Sequence, residues 1–216
     1  MIPKVIHQTW KTNDVPEKFQ KWSLTWKTKH PEWIYMFWTD QDIDDFVKQY
    51  YPQRYEMFQK WTYQIQRVDL FRCMILHHFG GVYVDLDFEC IQPLDSLLNC
   101  EILLGQEPTI HAQKVYQRPY IISNAIMGSI PNHPFWMYVL DCAEQKFYSK
   151  YRKQILWSTG PGLLTECYDR TKNQYSFSVH SPDRFFSKVS QGFFQHQVNL
   201  HEIFGVHQWA NSWLKQ

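Results

Sequence analysis

The order of elements predicts a single α/β domain over residues 1–216, with a mostly parallel sheet flanked by helices. Three observations carry this. Strand-like apolar runs alternate with helix-period segments through the first half of the chain. Several of these runs end in aromatic or acidic residues, where parallel sheets place their ligands. A composition of 44% hydrophobic and 18% aromatic residues supplies a substantial core.

Taken in order, Pro3–Gln8 reads as a first strand ending at Thr9-Trp10, and Lys11–Val15 as a polar loop. Pro16 suits a first helical turn, and Phe19, Trp22, Ser23 and Trp26 keep helical spacing up to His30-Pro31. Trp33–Trp38 is a continuous apolar and aromatic run, predicting a buried strand. Thr39-Asp40 signals the cap of a helix through Ile43, Phe46 and Val47, and Pro52 opens another helical piece. Gln64–Phe79 is the strongest helix, with Ile65, Val68, Asp69, Arg72, Leu76 and Phe79 at three- and four-residue steps.

Asp69 and Arg72 thus fall on the inward stripe, where charges are costly unless paired or bound. They form either an internal ion pair or part of a ligand crevice. A Gly80-Gly81 break then leads into Val82-Tyr83-Val84 and Asp85-Leu86-Asp87. Val82 and Val84 should face one side and Tyr83 the other. Asp85 and Asp87 share a face at the strand's end, and two such anions repel unless a cation lies between them. Their oxygens suit Mg²⁺ or Mn²⁺. The alternative is a polar strand end turning into solvent.

Further on, Pro93-Leu94-Asp95 caps a short helix and Ile102–Gln106 is a strand. Glu107–Pro119 is a polar loop long enough to be functional. Tyr120–Ile130 is a strand with Asn124 inside an apolar run, and a helix follows with Phe135, Tyr138, Val139 and Cys142. Thr159-Gly160-Pro161-Gly162 precedes a helix and serves either as an anion-binding turn or as an ordinary cap. Phe177–His180 is a strand, Ser181–His201 mostly loop, and Phe204–Trp213 the closing segment.

A formal charge of +1 suggests neither nucleic acid nor an anionic membrane as partner. Five cysteines without a CxxC pair read as reduced thiols of a cytoplasmic protein. No window reaches the roughly 18 apolar residues of a membrane span. The chain is either soluble or a domain trimmed from an anchor, Golgi-luminal in that case; peripheral membrane contact is compatible with both.

Seven pieces in this order carry a resemblance over nearly the whole chain: residues 2–10, 37–40, 69–72, 79–87, 123–127 with 133–135, 159–162 and 207–213. Together they resemble the glycosyltransferase family 32 group, which includes Golgi alpha-mannosyltransferases and bacterial capsular polysaccharide enzymes. The resemblance implies a GT-A fold, a nucleotide-sugar donor (a UDP-sugar or GDP-mannose), Mn²⁺ or Mg²⁺, a glycan or glycolipid acceptor and retention of anomeric configuration. It implies that Asp87 binds the metal, that Asp85 contacts metal-bound water, ribose or sugar, and that His207 is a late metal or diphosphate ligand. Asp69 and Arg72 would hold the donor sugar, with Asn124 near the anomeric carbon. Trp10 and Gln8 would lie near the nucleobase end, Tyr83 and Gly160 beside the donor, and Trp209, Ser212 and Trp213 over the phosphates. Trp10 and His207 also admit blander readings, as a core aromatic and a surface histidine. His7, His30, His77, His78 and His111 receive no role.

Two other classes compete. A haloacid-dehalogenase-like phosphatase also uses Asp-x-Asp after a strand, but typically has Thr or Val where Glu89 stands. A non-catalytic sugar-binding protein would use the aromatics and leave the acidic set without purpose.

Overall fold

The computed structural model describes residues 1–186 and 202–210. Its elements are β1 (Val5–Thr9), α1 (Glu17–Lys29), β2 (Ile34–Trp38), α2 (Asp40–Tyr50), α3 (Pro52–Gln59), α4 (Gln64–Phe79), β3 (Gly81–Val84), β4 (Phe88–Cys90), β5 (Ile102–Gln106), α5 (Thr109–His111), β6 (Ile122–Ser129), α6 (Pro134–Phe147), α7 (Ile155–Ser158), α8 (Pro161–Thr171), β7 (Phe177–His180), α9 (Pro182–Phe185) and β8 (Gly205–His207).

Six strands form one sheet in the order β2-β1-β3-β6-β5-β7. Strand β6 runs antiparallel to both neighbours, and the remaining pairings are parallel. The expected mostly parallel α/β sheet is therefore present. Alternation along β3 sets its two faces. Val82 and Val84 pack with Ile6, Trp26, Leu103 and Phe88 on one side. Tyr83 packs on the other with Leu104, Met127 and the helices α4, α6 and α8. Both faces are covered, as a parallel sheet requires.

Local chemistry explains the elements. Thr39 caps α2 in a reciprocal box: its hydroxyl accepts from the Asp42 amide at 3.2 Å, and the Asp42 carboxylate accepts from the Thr39 amide at 2.8 Å. Helix α4 is buried continuously from Asp69 to Cys73 and on to Leu76, wedged between sheet and α6. Each large apolar side chain buried there stabilises the fold by roughly 1.5–3 kcal/mol. Gly80 and Gly81 take φ of +66° and +87° in the turn into β3. A Cβ on Gly81 would lie 2.6 Å from the Val5 carbonyl oxygen, so glycine lets β3 approach β1.

Several expectations change. Trp33–Trp38 is not a buried strand: β2 is the sheet edge, its residues exposed or half-buried, because no strand among the described residues pairs beyond it. Glu107–Pro119 is not a plain loop: it holds α5 and a π-type turn over Ala112–Tyr116, whose Ala112 and Tyr116 pack with Ile121, Leu156 and Trp157. The piece capped at Pro93 is one 3₁₀ turn, Asp95–Leu97. The segment expected as loop after Ser181 begins with α9. The closing segment contributes β8, which pairs antiparallel with β4 in a second, two-stranded sheet. No helix among the described residues is long and apolar enough to cross a membrane.

Candidate active site

The carboxyl ends of β1, β3 and β5 open on one cleft, and each brings a polar group to it. Strand β3 releases Asp85 immediately after Val84. Helix α4 holds Asp69 and Arg72 against it, both 4% exposed. The Arg72 guanidinium is the hub. Nη1 donates to the Asn124 carbonyl oxygen at 2.9 Å and lies 3.6 Å from Asp69 Oδ1, while Nη2 lies 3.1 Å from Asp85 Oδ1. The guanidinium also stacks 4.7 Å over the Tyr83 ring. Burial alone would lower the Arg72 pKa; Asp85, Tyr83 and Asp69 outweigh it, so the cation is firmly held.

Asp69 is engaged at both oxygens. Asn124 Nδ2 donates to Oδ1 at 2.9 Å and Thr159 Oγ1 to Oδ2 at 3.0 Å. Burial pushes its pKa up to about 6, against the pull of Arg72 and these bonds. Tyr83 donates its hydroxyl to Asp85 Oδ1 at 2.8 Å, with Thr9 Oγ1 at 3.2 Å from the same hydroxyl. Gln8 Nε2 donates to the Asp85 carbonyl oxygen at 3.3 Å and is itself fixed by the Tyr35 hydroxyl at 2.7 Å. Gln8 and Tyr83 therefore position Asp85 from beneath.

Asp87 sits at the turn into β4. The antiparallel register Phe88↔His207 carries His207 to it. His207 Nε2 lies 3.2 Å from Asp87 Oδ1, the Ala210 amide donates to Oδ2 at 2.8 Å, and the Gln208 amide donates to the Asp87 carbonyl oxygen at 2.8 Å. Burial works against charge at both partners and loses. The His207 charge and bond hold the Asp87 carboxyl below its usual range, and Asp87, Asp85 and Glu107 raise the imidazole. One ligand atom each from Asp85, Asp87 and His207 falls within 4.8 Å of the others. His207 Nδ1 is buried and lacks a hydrogen-bond partner among the described residues. Two carboxylates and an imidazole converging this closely are chemically suited to a divalent cation.

Two cavities meet at Arg72, Asp85 and His207. One is lined by Thr9, Trp10, Lys11, Phe19 and Asp40, with the Trp10 ring 4.6 Å from Phe19. The other, about 460 Å³, is lined by Asp69, Asn124, Glu107, Tyr116, Gly160 and Trp209 among others. The structure thus gathers Gln8, Trp10, Asp69, Arg72, Tyr83, Asp85, Asp87, Asn124, Gly160, His207 and Trp209 around one cleft. Ser212 and Trp213 lie outside the described residues. Sequence reasoning placed Thr159 only in a turn before a helix, not on Asp69, and assigned no site role to Glu107 or His111. Glu107 carried a usable signal, an acid directly after a strand.

The central sheet and its flanking helices have the GT-A fold. The PaToxG glycosyltransferase structure superimposes with a TM-score of 0.58, at 18% identity over 80% of this chain and 70% of that one. Residues 16–103 match the family described as a glycosyltransferase sugar-binding region containing a DXD motif. The chain is 38% identical over 175 residues to a mannosyl phosphorylinositol ceramide synthase of Saccharomyces cerevisiae, covering 80% of this chain and 44% of that protein. It is 33% identical over 208 residues to inositol phosphoceramide mannosyltransferase 1 of Schizosaccharomyces pombe, covering 90% of this chain and 60% of that protein. The chain spans about half the length of the curated relatives it matches. These likenesses bear out the resemblance to glycosyltransferase family 32 read in the sequence.

Proposed function

We propose that this chain transfers a hexose, mannose foremost, from a nucleotide-diphosphate sugar to a hydroxyl of an inositol-phosphate glycolipid, with retention and with dependence on a divalent cation. The observation that carries this is the meeting of the Asp85, Asp87 and His207 ligand atoms beside the buried Arg72. Mannose and the glycolipid come from the activities for which those relatives are named; GDP-mannose is accordingly the first donor to test, UDP-sugars the second. A glycolipid acceptor would bring the chain to a membrane surface, in line with peripheral contact.

Asp87, His207 and Asp85 would hold Mn²⁺ or Mg²⁺, the imidazole favouring Mn²⁺. Bound there, the ion would offset charge on the leaving diphosphate. Trp10, Lys11 and Phe19 line the side suited to a nucleobase. Arg72, locked by Asp69, Asn124 and Asp85, presents its fork to the sugar. Trp209 walls the opposite side. Asp69 is no nucleophile on this reading, since Asn124 and Thr159 already take both its oxygens. The acceptor hydroxyl then attacks from the face the diphosphate leaves, and a leaving phosphate oxygen takes its proton. A covalent sugar trapped on Asp69 or Glu107 would contradict this route.

Thermal shift with Mn²⁺ and a set of GDP- and UDP-sugars tests donor binding. Transfer to inositol phosphoceramide, with the product anomer read by NMR, tests the reaction. Stabilisation by none of the sugars, or hydrolysis of a phosphate monoester instead, would sink the reading.

A further inference from the structure

Beyond Arg72 and Asp85 the larger cavity reaches a buried acid for which this mechanism has no use. Glu107 follows directly on β5 and is 5% exposed, its amide donating to the Ile121 carbonyl oxygen at 2.9 Å. One turn later, His111 Nδ1 stands 2.6 Å from Glu107 Oε2. A carboxylate oxygen accepts in this contact and the imidazole Nδ1–H donates, which leaves Oε1 and Nε2 turned to other partners. Among the described residues neither Glu107 Oε1 nor His111 Nε2 takes a further hydrogen bond. Both side chains line the cavity, which Tyr116 and Trp209 border with apolar surface. The Trp209 ring stands edge-on to His111 at 4.8 Å and to His207 at 4.6 Å, so it bridges the dyad and the acidic cluster. Its backbone holds φ at +51°, a conformation a tryptophan rarely adopts.

We propose that Glu107 and His111 form the acceptor subsite, reading adjacent hydroxyls of a ring polyol between the Tyr116 and Trp209 rings. The dyad presents two neighbouring polar atoms, Oε1 and Nε2, and vicinal hydroxyls, which each donate and accept, can meet one apiece. A phosphate fits poorly, because its oxygens also accept and its charge meets that of Glu107. A solvated i,i+4 pair would be the bland role, but here the acid is buried and faces the cavity. The inference rests on the transferase reading and deepens it by naming the acceptor's recognised group.

Saturation-transfer NMR with myo-inositol and with methyl α-mannoside, in the presence and absence of GDP and Mn²⁺, tests it on the wild type, E107Q and H111Q. At least one polyol binds the wild type, and binding weakens about tenfold or more in both variants. The GDP–Mn²⁺ thermal shift stays at the wild-type value in H111Q and is retained in E107Q. Which polyol binds separates an inositol from a hexose acceptor. Binding of neither polyol, or wild-type binding by either variant, overturns the subsite. Absence of any nucleotide shift in the wild type counts instead against the transferase reading, and is read in a separate arm.

Discussion

Arg72 Nη2 lies 3.1 Å from Asp85 Oδ1 while Nη1 bonds the Asn124 carbonyl oxygen at 2.9 Å. One planar fork therefore ties the end of β3 to β6. Lysine keeps the charge but carries its donors on one nitrogen and lacks the rigid planar fork. R72K should lower transfer by about two orders of magnitude while the protein remains folded. Steady-state kinetics beside a circular dichroism spectrum checks this, and a near-wild-type rate would remove Arg72 from the donor site.

Asp87 is the contact between the acidic turn and the returning segment. D87A takes away a carboxylate that accepts from the Ala210 amide and faces His207. It should abolish stabilisation by a nucleotide-sugar with Mn²⁺, and EDTA should do the same to the wild type. The unliganded variant should lose on the order of 1–3 kcal/mol, since the buried His207 imidazole and the half-buried Ala210 amide lose a partner. Retained metal-dependent shifts in D87A would refute the ligand assignment.

His7 makes folding sensitive to acid. Burial lowers its pKa to about 4, partly offset by the Gly80 carbonyl oxygen. Nε2–H donates to that oxygen at 3.0 Å, and Nδ1 accepts from Trp38 Nε1 at 3.3 Å, so the folded ring is neutral. The unfolded chain binds the proton near pH 6.5, the folded chain only near 4. Stability is thus complete above about pH 6.5 and falls as pH drops toward 4, by roughly 3 kcal/mol from this group. Urea unfolding of H7Q and wild type at pH 7.5, 6 and 5 checks the sign. An equal acid slope in both would mean that other groups dominate.

Gly81 is expected to tolerate no side chain. G81A combines φ of +87° with a Cβ 2.6 Å from the Val5 carbonyl oxygen. The cost should be on the order of 3 kcal/mol, read as a lower urea midpoint at unchanged slope. A midpoint within experimental error of wild type would show that β3 shifts freely against β1.

Much of the fold was legible in near-neighbour patterns. The alternation Val82-Tyr83-Val84 already assigned the two faces of β3, because the strand period is two. The Gln64–Phe79 periodicity turned Asp69 and Arg72 inward, because the helix period is fixed. Edge position was not legible: Trp33–Trp38 reads as buried by composition, and only the sheet order leaves it uncovered. The turn at Ala112–Tyr116 was missed because a polar segment gives no period, while its burial against Trp157 is a tertiary event.

The sequence by itself determined the alternating sheet, the acidic strand end and the inward pair on α4. Only the tertiary structure decided what faces that strand end. Gln208 reaches Glu89 across 119 residues, and the same β4–β8 pairing sets His207 against Asp87. Neighbours along the chain fix dihedrals and faces, whereas a contact at that separation depends on how the whole sheet has packed.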